Sequence, residues 1–406
     1  MKAIAIFALT YIFISGSGPR WLPLGRTGGA LLGAFLTVAL GVVPFREAFS
    51  QEVVDWNTIL LLLGMMVQAT LLARAGLHRA LVKRLVRLTP PPWATLGAVF
   101  GGAAILSAFL VNDAVCVFFA PFLFELGTSL GLAPLPLVWA LIVGANVGSA
   151  LTLSGNPQNA IIGTASGIHY LDFLTAESLP VVTGLVGAYI ALLLLFRGRL
   201  VASEVHPPAG PDPDPHRLWR PLPGIVLTIG GYLLGYPVGG AAMAGALLSL
   251  LLWHRDALEG LTGVDWPLLA LFVGLFIVMH GVETSGPVRR LDSLLQGFFS
   301  GGRLSYLHLT WMTFLGSQLL SNVPFVLLAR GWAGHFGGAP LFWYTLGFVS
   351  TVAGCLTPVG SVVNLIALEE ARKRGIAIGF WSFIRHGIPL TTAALLPGTA
   401  ILLLYR

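Results

Sequence analysis

The tripeptide Val54-Asp55-Trp56 returns 210 residues later as Val264-Asp265-Trp266, and this repetition decides the fold. The same offset relates further identical residues, namely Gly64 and Gly274, Gly76 and Gly286, Arg79 and Arg289, and Asn112 and Asn322. So many coincidences at one offset indicate two copies of a single unit. A duplicated apolar unit with polar residues near its middle is typical of a secondary transporter whose binding site lies between the repeats. The repetition therefore predicts a transporter.

The composition places this chain in a membrane. Hydrophobic residues make up 56% and charged residues 10% of the sequence, whereas an ordinary soluble domain has roughly 25% charged residues. Apolar runs long enough to cross roughly 30 Å of hydrocarbon recur along the whole chain, and they leave no segment for a soluble domain. The net charge of +6 is explained by basic loops that face anionic lipid, so nucleic acid is not expected as a partner.

Each copy is predicted to contain three apolar runs, two longer runs that polar residues interrupt, and a closing span. In the first copy these runs are 3–16, 27–44, 56–74, 93–126, 136–165 and 174–196. In the second copy they are 221–236, 238–253, 266–283, 304–330, 341–367 and 383–404. The chain is thus expected to divide into a first repeat (1–200), a Pro-rich linker (201–220) and a second repeat (221–406).

The interrupted runs leave two span counts open. The fourth run of each copy forms either a re-entrant hairpin, which gives five spans per copy, or two full spans, which give seven. Either odd number forces the copies into opposite orientations, as in alternating-access carriers. With five spans, most of the 23 Lys and Arg residues fall on the side of the linker, which predicts a cytoplasmic linker and both termini outside. We expect an all-α polytopic membrane protein of two inverted repeats, each with about five transmembrane helices, a re-entrant hairpin and a broken helix.

The first interrupted run of each copy breaks at an asparagine. Asn112-Asp113 marks the turn in one copy, and Ser321-Asn322 marks it in the other. Backbone groups that a break frees in apolar surroundings must face protein, water or a bound solute. These asparagines could simply cap the hairpin helices, but capping is compatible with ligand contact. We predict that Asn112, Ser321 and Asn322 contact the substrate.

The second interrupted run repeats at an offset of 205, as Thr152-Leu-Ser-Gly-Asn-Pro-Gln-Asn159 and Thr357-Pro-Val-Gly-Ser-Val-Val-Asn364. Glycine, proline and amides inside an apolar run unwind the helix and expose half-helix ends, whose N-termini attract anions and whose carbonyls attract cations. All four breaks are expected to converge on one cavity. The binding residues predicted here are Ser154, Gly155, Asn156, Gln158, Asn159, Thr357, Gly360, Ser361 and Asn364.

Asp113 is the acidic residue at the centre of a hairpin. A carboxylate at such a depth is costly, so we predict a coupling role as proton carrier or cation ligand, with a local cap or ion pair as the alternative. Asp55 and Asp265 precede tryptophans at span starts and are expected to be N-caps. Cys116 and Cys355 lie near breaks and could bind a soft metalloid, although small buried cysteines are common. They indicate no disulfide framework.

At these residues the chain resembles the ion transporter superfamily, which includes arsenite permeases, citrate-type carriers and sodium-coupled dicarboxylate carriers. Asn112-Asp113, Ser321-Asn322-Val323-Pro324 and Thr357-Pro358-Val359-Gly360-Ser361 are similar to the arsenite permease pattern, and Gly155-Asn156-Pro157-Gln158-Asn159 is similar to citrate-transporter-like permeases. Dicarboxylate carriers have Ser-Asn-Thr in both hairpins, and both threonines are missing here, which disfavours a dicarboxylate. Several relatives have Gly-Asp-Pro at the second break, and Asn156 removes that charge, which disfavours sodium coupling.

The polar residues of the predicted cavity provide amides, hydroxyls, one carboxylate and no central Lys or Arg. A small neutral hydroxylated solute fits them better than a multiply charged anion. The expected function is therefore proton-coupled efflux of arsenite or antimonite, with Asp113 carrying the proton. The alternative is a symporter that couples Na+ or H+ to an organic or inorganic anion such as citrate or a dicarboxylate.

An intramembrane enzyme is the minor alternative, since no His-Glu-x-x-His motif or nucleophile–base arrangement is present in the sequence, and no cofactor is expected. The resemblance also implies an elevator-type movement of the hairpins and broken helices against a scaffold, a homodimer, association with a cytoplasmic ATPase subunit, and the plasma (inner) membrane of a bacterium or archaeon.

Overall fold

The computed structural model describes residues 1–14, 24–201, 206, 214–253, 258–286, 295–299 and 302–405. These residues form helices and their connections, and none of them belongs to a β-strand. The prediction of an all-α protein is confirmed. Arg289 and most of the Pro-rich linker lie outside the described residues.

The helices of the first half follow the predicted apolar runs, and both interrupted runs are divided into two helices. They are α1 (Lys2–Ile14), α2 (Gly25–Ala39), α3 (Trp56–Arg74), α4 (Leu77–Leu88), α5 (Pro92–Leu110), α6 (Asn112–Ser129), α7 (Pro134–Ser149), α8 (Pro157–Ser166) and α9 (Tyr170–Phe196).

The helices described in the second half follow the apolar runs predicted for the second copy, with two short additional helices, α10 (Pro215–Trp219) and α13 (Glu259–Thr262). The others are α11 (Leu222–Leu233), α12 (Val238–Trp253), α14 (Trp266–Glu283), α15 (Gly302–Leu320), α16 (Asn322–Ala329), α17 (Pro340–Ala353), α18 (Val362–Lys373) and α19 (Phe380–Leu402). Short 3-10 segments cover Arg197–Arg199, Gln296–Phe299 and Arg330–Phe336.

Several helices are suited to cross a membrane. In the described part of the chain, four combine sufficient length with sufficient apolar character: α3, α5, α14 and the helix that runs from Tyr170 to Arg199. Shorter apolar helices are α1, α7, α12 and α17. Because hydrophobic helices recur throughout both halves, the chain is a multi-pass membrane protein.

The segment after α3 differs from the expected basic loop. Arg79 and its basic neighbours lie in α4, which buries Val82 and Val86 on one side. Apolar residues at helical spacing opposite basic residues are typical of a helix that lies along the membrane surface. The sequence did not predict this helix, because a cluster of basic residues is also typical of the loops that set the orientation of a membrane protein.

Both hairpins turn on the same unusual backbone conformation. Val111 has φ 60° and Ser321 has φ 62°, a region in which a β-branched residue is rare. The helices α6 and α16 begin at the next residues, Asn112 and Asn322. The first turn is therefore at Val111, one residue before the predicted turn at Asn112-Asp113.

Small residues allow close crossings between helices of the two halves. A Cβ atom on Gly64 of α3 would lie 2.7 Å from the carbonyl carbon of Ala242 in α12, and one on Gly274 of α14 would lie 2.9 Å from that of Ala30 in α2. Small residues at such points let helix backbones approach closely in a membrane. Each half therefore packs its third apolar helix against the second apolar helix of the other half.

Candidate functional site

The four helix breaks meet at one small cavity, which we call the central cavity. Its wall includes Asn112, Asp113, Pro157, Gln158, Ser321, Asn322, Gly360 and Ser361 from the breaks, Arg26 from α2, and Leu271, Phe272 and Leu275 from α14. Its volume is about 50 Å³. Because a cavity needs roughly 10–15 Å³ to hold one water molecule, this space suits a solute of a few heavy atoms.

Each broken helix is tied to the first arm of its own hairpin by an equivalent threonine. Thr152 donates a hydrogen bond from Oγ1 to the carbonyl oxygen of Ala108. Thr357 donates from Oγ1 to Oε1 of Gln318 over 2.9 Å, and Gln318 donates from Nε2 to the carbonyl oxygen of Ala353 over 2.7 Å. Thr357 therefore supports the second break and does not line the central cavity.

Asn159 and Asn364 hold the unwound backbone of the two breaks. Asn159 donates from Nδ2 to the carbonyl oxygen of Thr152 over 2.9 Å. Asn364 donates from Nδ2 to the carbonyl oxygens of Gly354 over 2.6 Å and Thr357 over 2.8 Å. Both side chains are fully buried and lie outside the central cavity. They satisfy carbonyl groups that lose their helical partners where α7 and α17 end.

Two further residues of the first break also have structural partners. Asn156 accepts a hydrogen bond at Oδ1 from the backbone nitrogen of Asn159 over 2.8 Å, which caps the start of α8. The hydroxyl of Ser154 is hydrogen-bonded to that of Tyr170 over 2.9 Å. Of the residues predicted in this break, Gln158 lines the central cavity, whereas Ser154, Gly155, Asn156 and Asn159 support the wall.

Asn112 and Asn322 line the central cavity, and each carries an unsatisfied acceptor. The Oδ1 atom of each is buried and has no hydrogen-bond partner among the residues that the structure describes. The backbone nitrogen of Asn112 donates to the carbonyl oxygen of Gly155 over 2.9 Å, so the hairpin tip is fixed to the first break. Leaving a buried acceptor unpaired costs about 1–3 kcal/mol. The arrangement therefore favours a bound group that donates hydrogen bonds, or a cation.

Asp113 and Arg26 give the central cavity one group of each charge. Asp113 lies buried in the first turn of α6. Arg26 lies in the first turn of α2, and its charge acts on Asp113. Its Nε is buried and has no hydrogen-bond partner in the described part of the chain. The sequence predicted no central Lys or Arg. That prediction is wrong, because the long side chain reaches the cavity wall from the end of its helix.

Helix dipoles add to the positive charge of Arg26. The first turns of α6, α8, α16 and α18 all contribute to the wall of the central cavity. Each helix N-terminus carries a partial charge of about +0.5. The cavity therefore attracts oxygen atoms with negative or partial negative charge, and Asp113 opposes this attraction on one side.

Cys116 and Cys355 lie outside the central cavity. Both are free and buried, and Cys116 donates from Sγ to the carbonyl oxygen of Val363 over 3.4 Å. In the described ranges, no three or more His, Cys, Asp and Glu side chains are grouped so that they could hold a metal ion. The structure thus does not bring the thiols to the residues predicted to bind the solute.

Comparison with known proteins points to transport. The sequence model of a family described as "Citrate transporter" matches residues 10–345. The putative transporter arsB of Dictyostelium discoideum is 24% identical, over 98% of this chain and 91% of that protein. The silicon efflux transporter LSI3 of Oryza sativa subsp. japonica is 28% identical, over 96% of this chain and 94% of that protein. The crystal structure of the YdaH transporter of Alcanivorax borkumensis shares the fold, with a TM-score of 0.55 at 17% identity over 98% of this chain and 95% of that chain.

Proposed function

The chain belongs to the citrate transporter family, and from this premise we propose that it exports a small hydroxylated metalloid acid, arsenite or antimonite, in exchange for protons. The chain is a secondary transporter and not an enzyme, because its family and its relatives are named as transporters. The substrate and the coupling ion are our proposal.

The unpaired Oδ1 atoms of Asn112 and Asn322 carry this proposal. A trihydroxy metalloid offers three O–H donors, so it can satisfy both acceptors at once. Its few heavy atoms suit the central cavity of about 50 Å³. A multiply charged tricarboxylate offers acceptors and much greater bulk. The relative named as a silicon efflux transporter supports the same class of solute, because silicon is also a metalloid.

Asp113 is proposed to carry the coupling proton. Its carboxylate takes up a proton when the site faces the outside and releases that proton to the inside, and the uncharged solute then moves outward. Arg26 lines the same cavity and offers the ionised carboxylate a positive charge after release. Exchange of one neutral solute for one proton moves one positive charge inward, so both the pH gradient and the membrane potential would drive export.

Alternating access is proposed to follow from two inverted repeats, 1–200 and 221–406. Arg74 at the end of α3 lies 3.3 Å from Glu259 and donates to Thr262 over 2.8 Å, just before α14 begins. The end of α3 thus lies beside the start of its counterpart α14, as opposite orientations require. In line with the family resemblance, we include in the proposal an elevator-type movement of the hairpins and broken helices, a homodimer, a cytoplasmic linker and outer termini.

A cation-coupled anion symporter is the second candidate. Arg26 and the four helix N-termini favour it, because together they make the central cavity attractive to negatively charged oxygens. The family description as citrate transporter points in the same direction.

Thermal unfolding of the purified protein separates these candidates, because a solute that binds the native state raises its apparent stability. Arsenite, antimonite, silicic acid, citrate, a dicarboxylate and phosphate would each be added with and without sodium. We expect arsenite or antimonite to raise the unfolding temperature without sodium, and Asn112→Ala with Asn322→Ala to remove that rise. Stabilisation by citrate in sodium, with none by arsenite, would establish the second candidate instead.

Transport into proteoliposomes tests the coupling. A pH gradient alone should drive arsenite uphill, and Asp113→Asn should abolish this movement while the protein stays folded and inserted. Unchanged proton-driven transport by that variant would remove Asp113 from the mechanism. Asp172→Asn, an acidic residue in the first turn of α9 and away from the central cavity, is the matched control.

A further inference from the structure

A second cavity reaches Asp113 from another direction. This open cavity, of about 420 Å³, lies between α3, α6 and the segment that leads into α14. Residues on its wall include Thr70, Arg74, Asp113, Val117 and Asp265. Within the described part of the chain, Asp113 is the residue that lines both the open cavity and the central cavity.

The mouth of the open cavity lies at one predicted face of the membrane. Arg74 and Gly263 lie on the cavity wall and are exposed, so we place the mouth beside them, where Arg74 is paired with Glu259 at 3.3 Å. Arg74 is among the basic residues whose bias predicts a cytoplasmic face. Water that enters here can approach Asp113 without passing the hairpin tips.

Asp265 is placed to exchange protons at this mouth. Its side chain is exposed and accepts a hydrogen bond at Oδ1 from the backbone nitrogen of Leu268 over 2.9 Å. Its charge acts on Asp113. The other charged or titratable groups around this part of α6 are Arg26 on α2, Arg74 on α3, His78 on α4 and Glu370 on α18. The ring of His78 packs edge-on against that of Phe118, with 6.3 Å between the ring centres.

We propose that Asp113 exchanges its coupling proton with the solvent through the open cavity, and that Asp265 relays the proton at the mouth. This inference rests on the proposed coupling role of Asp113. The proton leaves the Asp113 carboxyl for water in the open cavity and passes to the Asp265 carboxylate or directly to solvent water. The solute then enters the central cavity, opposite an ionised Asp113.

The walls of the open cavity explain why a carboxylate at the mouth matters. They are mainly apolar, with Met66, Phe118, Leu268 and Ile366 among them. Low-dielectric walls focus the field of a charge at the entrance and raise the local concentration of counter-ions. A negative charge at Asp265 therefore draws protons along the path to and from Asp113.

The repeat supplies a matched control for Asp265. Asp55 is its counterpart and accepts from the backbone nitrogen of Thr58 over 3.1 Å, but it lines a different cavity of about 600 Å³, to which neither hairpin tip contributes. Asparagine caps helices as well as aspartate does. Asp265→Asn and Asp55→Asn should therefore both fold, and they differ in whether the lost charge faces Asp113.

The experiment mixes the purified protein in weak buffer with undissociated arsenous acid, adjusted beforehand to the same pH, and follows the protons released with a pH-indicator dye in a stopped-flow instrument. We expect Asp265→Asn to slow proton release about tenfold without changing the number of protons, and a high concentration of imidazole buffer to restore the rate. Asp55→Asn should release protons at the wild-type rate. Equal rates for the two variants would exclude Asp265 as the relay.

A second measurement blocks the open cavity itself. Thr70→Cys, which lines this cavity, is labelled with a bulky thiol reagent, and Thr164→Cys, which lines the cavity of Asp55, is the control. The native cysteines are buried, so the introduced thiol is the accessible one. A label at position 70 should slow proton release at least as much as Asp265→Asn does, and arsenite should still raise the unfolding temperature of the labelled protein. A label at position 164 should leave the rate of proton release unchanged.

The outcomes distinguish the route from the coupling role. Proton release that persists in Asp113→Asn, or no release from the wild-type protein, would refute the coupling role and the route together. If Asp113→Asn abolishes release while the label at position 70 has no effect, the coupling role stands and the open cavity is not the route. If that label also abolishes arsenite binding, the open cavity is the solute path, and a separate proton route is refuted.

Discussion

Adding one methyl group at Gly148 should damage both stability and transport. A Cβ atom there would lie 2.4 Å from the Cα and carbonyl oxygen of Ala104 in α5. Contacts shorter than 3.4 Å are already rare for real Cβ atoms, so α7 and α5 must separate by about 1 Å. The atoms in the way belong to the backbone, so no side chain can turn aside. Gly144, one turn earlier, meets the carbonyl oxygen of Phe100 at the same distance and prevents a simple tilt.

This displacement should lower both the free energy of unfolding and the transport rate. Overpacking of a close contact costs about 1–3 kcal/mol of unfolding free energy. The helix α7 also leads directly into the first break, where Gly155 accepts the hydrogen bond from Asn112. A shift of about 1 Å in groups that position a reacting or bound solute can lower rates by about 100-fold. We therefore expect Gly148→Ala to lose most transport even when it remains folded.

Gly101→Ala is the matched control. This glycine lies in α5 with no atom within 4 Å of the added Cβ, and alanine is favoured over glycine inside a helix by up to about 1 kcal/mol. The assays are thermal unfolding in detergent and arsenite movement into proteoliposomes. If Gly148→Ala matched the wild-type protein in both, the close crossing of α5 and α7 would have no role in positioning the site.

Three further predictions concern residues outside the central cavity. Glu177 is fully buried in α9, and neither carboxylate oxygen has a partner within the described ranges, so Glu177→Met should raise the unfolding free energy by about 1–3 kcal/mol; a lower unfolding temperature would show that the carboxyl has a required role. Arg330 makes two hydrogen bonds to Glu283, at 3.0 and 2.7 Å, with side chains 30% and 20% exposed, so Arg330→Lys should cost about 1 kcal/mol because lysine cannot form the paired contact; unchanged thermal unfolding would contradict this. Cys116→Ser combined with Cys355→Ala should retain transport in proteoliposomes, and complete loss would restore a metalloid site at the thiols.

Local sequence signals predicted the helices well. Asp55 and Asp265 were interpreted as N-caps, and both accept the expected hydrogen bond from the backbone three residues later. The duplicated breaks also marked where the helices are interrupted, because polar residues are costly inside long apolar runs and occur there mainly where the backbone must unwind. Such signals depend on neighbours within one or two turns, which a sequence displays directly.

The roles of individual side chains at the site could not be predicted in the same way. Asn112, Asn159, Asn322 and Asn364 are equivalent in the sequence, since all are amides at duplicated breaks. Two of them line the central cavity and two bind backbone carbonyls, and only packing between distant segments determines which. The contribution of Arg26 depends on the same kind of long-range contact, and no local pattern indicates it.

Helices of each half pack against helices of the other half, and this packing matters for biosynthesis. The helix α8 packs against α16, α18 packs against α6, and Asn146 donates to Asn364 over 3.0 Å across this boundary. When the first half leaves the ribosome, its hairpin and broken helix can pack against each other, but their neighbours from the second half are still missing until the end of the chain is made. A gene encoding only one half would yield a membrane-inserted fragment without a binding pocket, whereas two separately synthesised halves could restore the pocket by meeting in the same membrane.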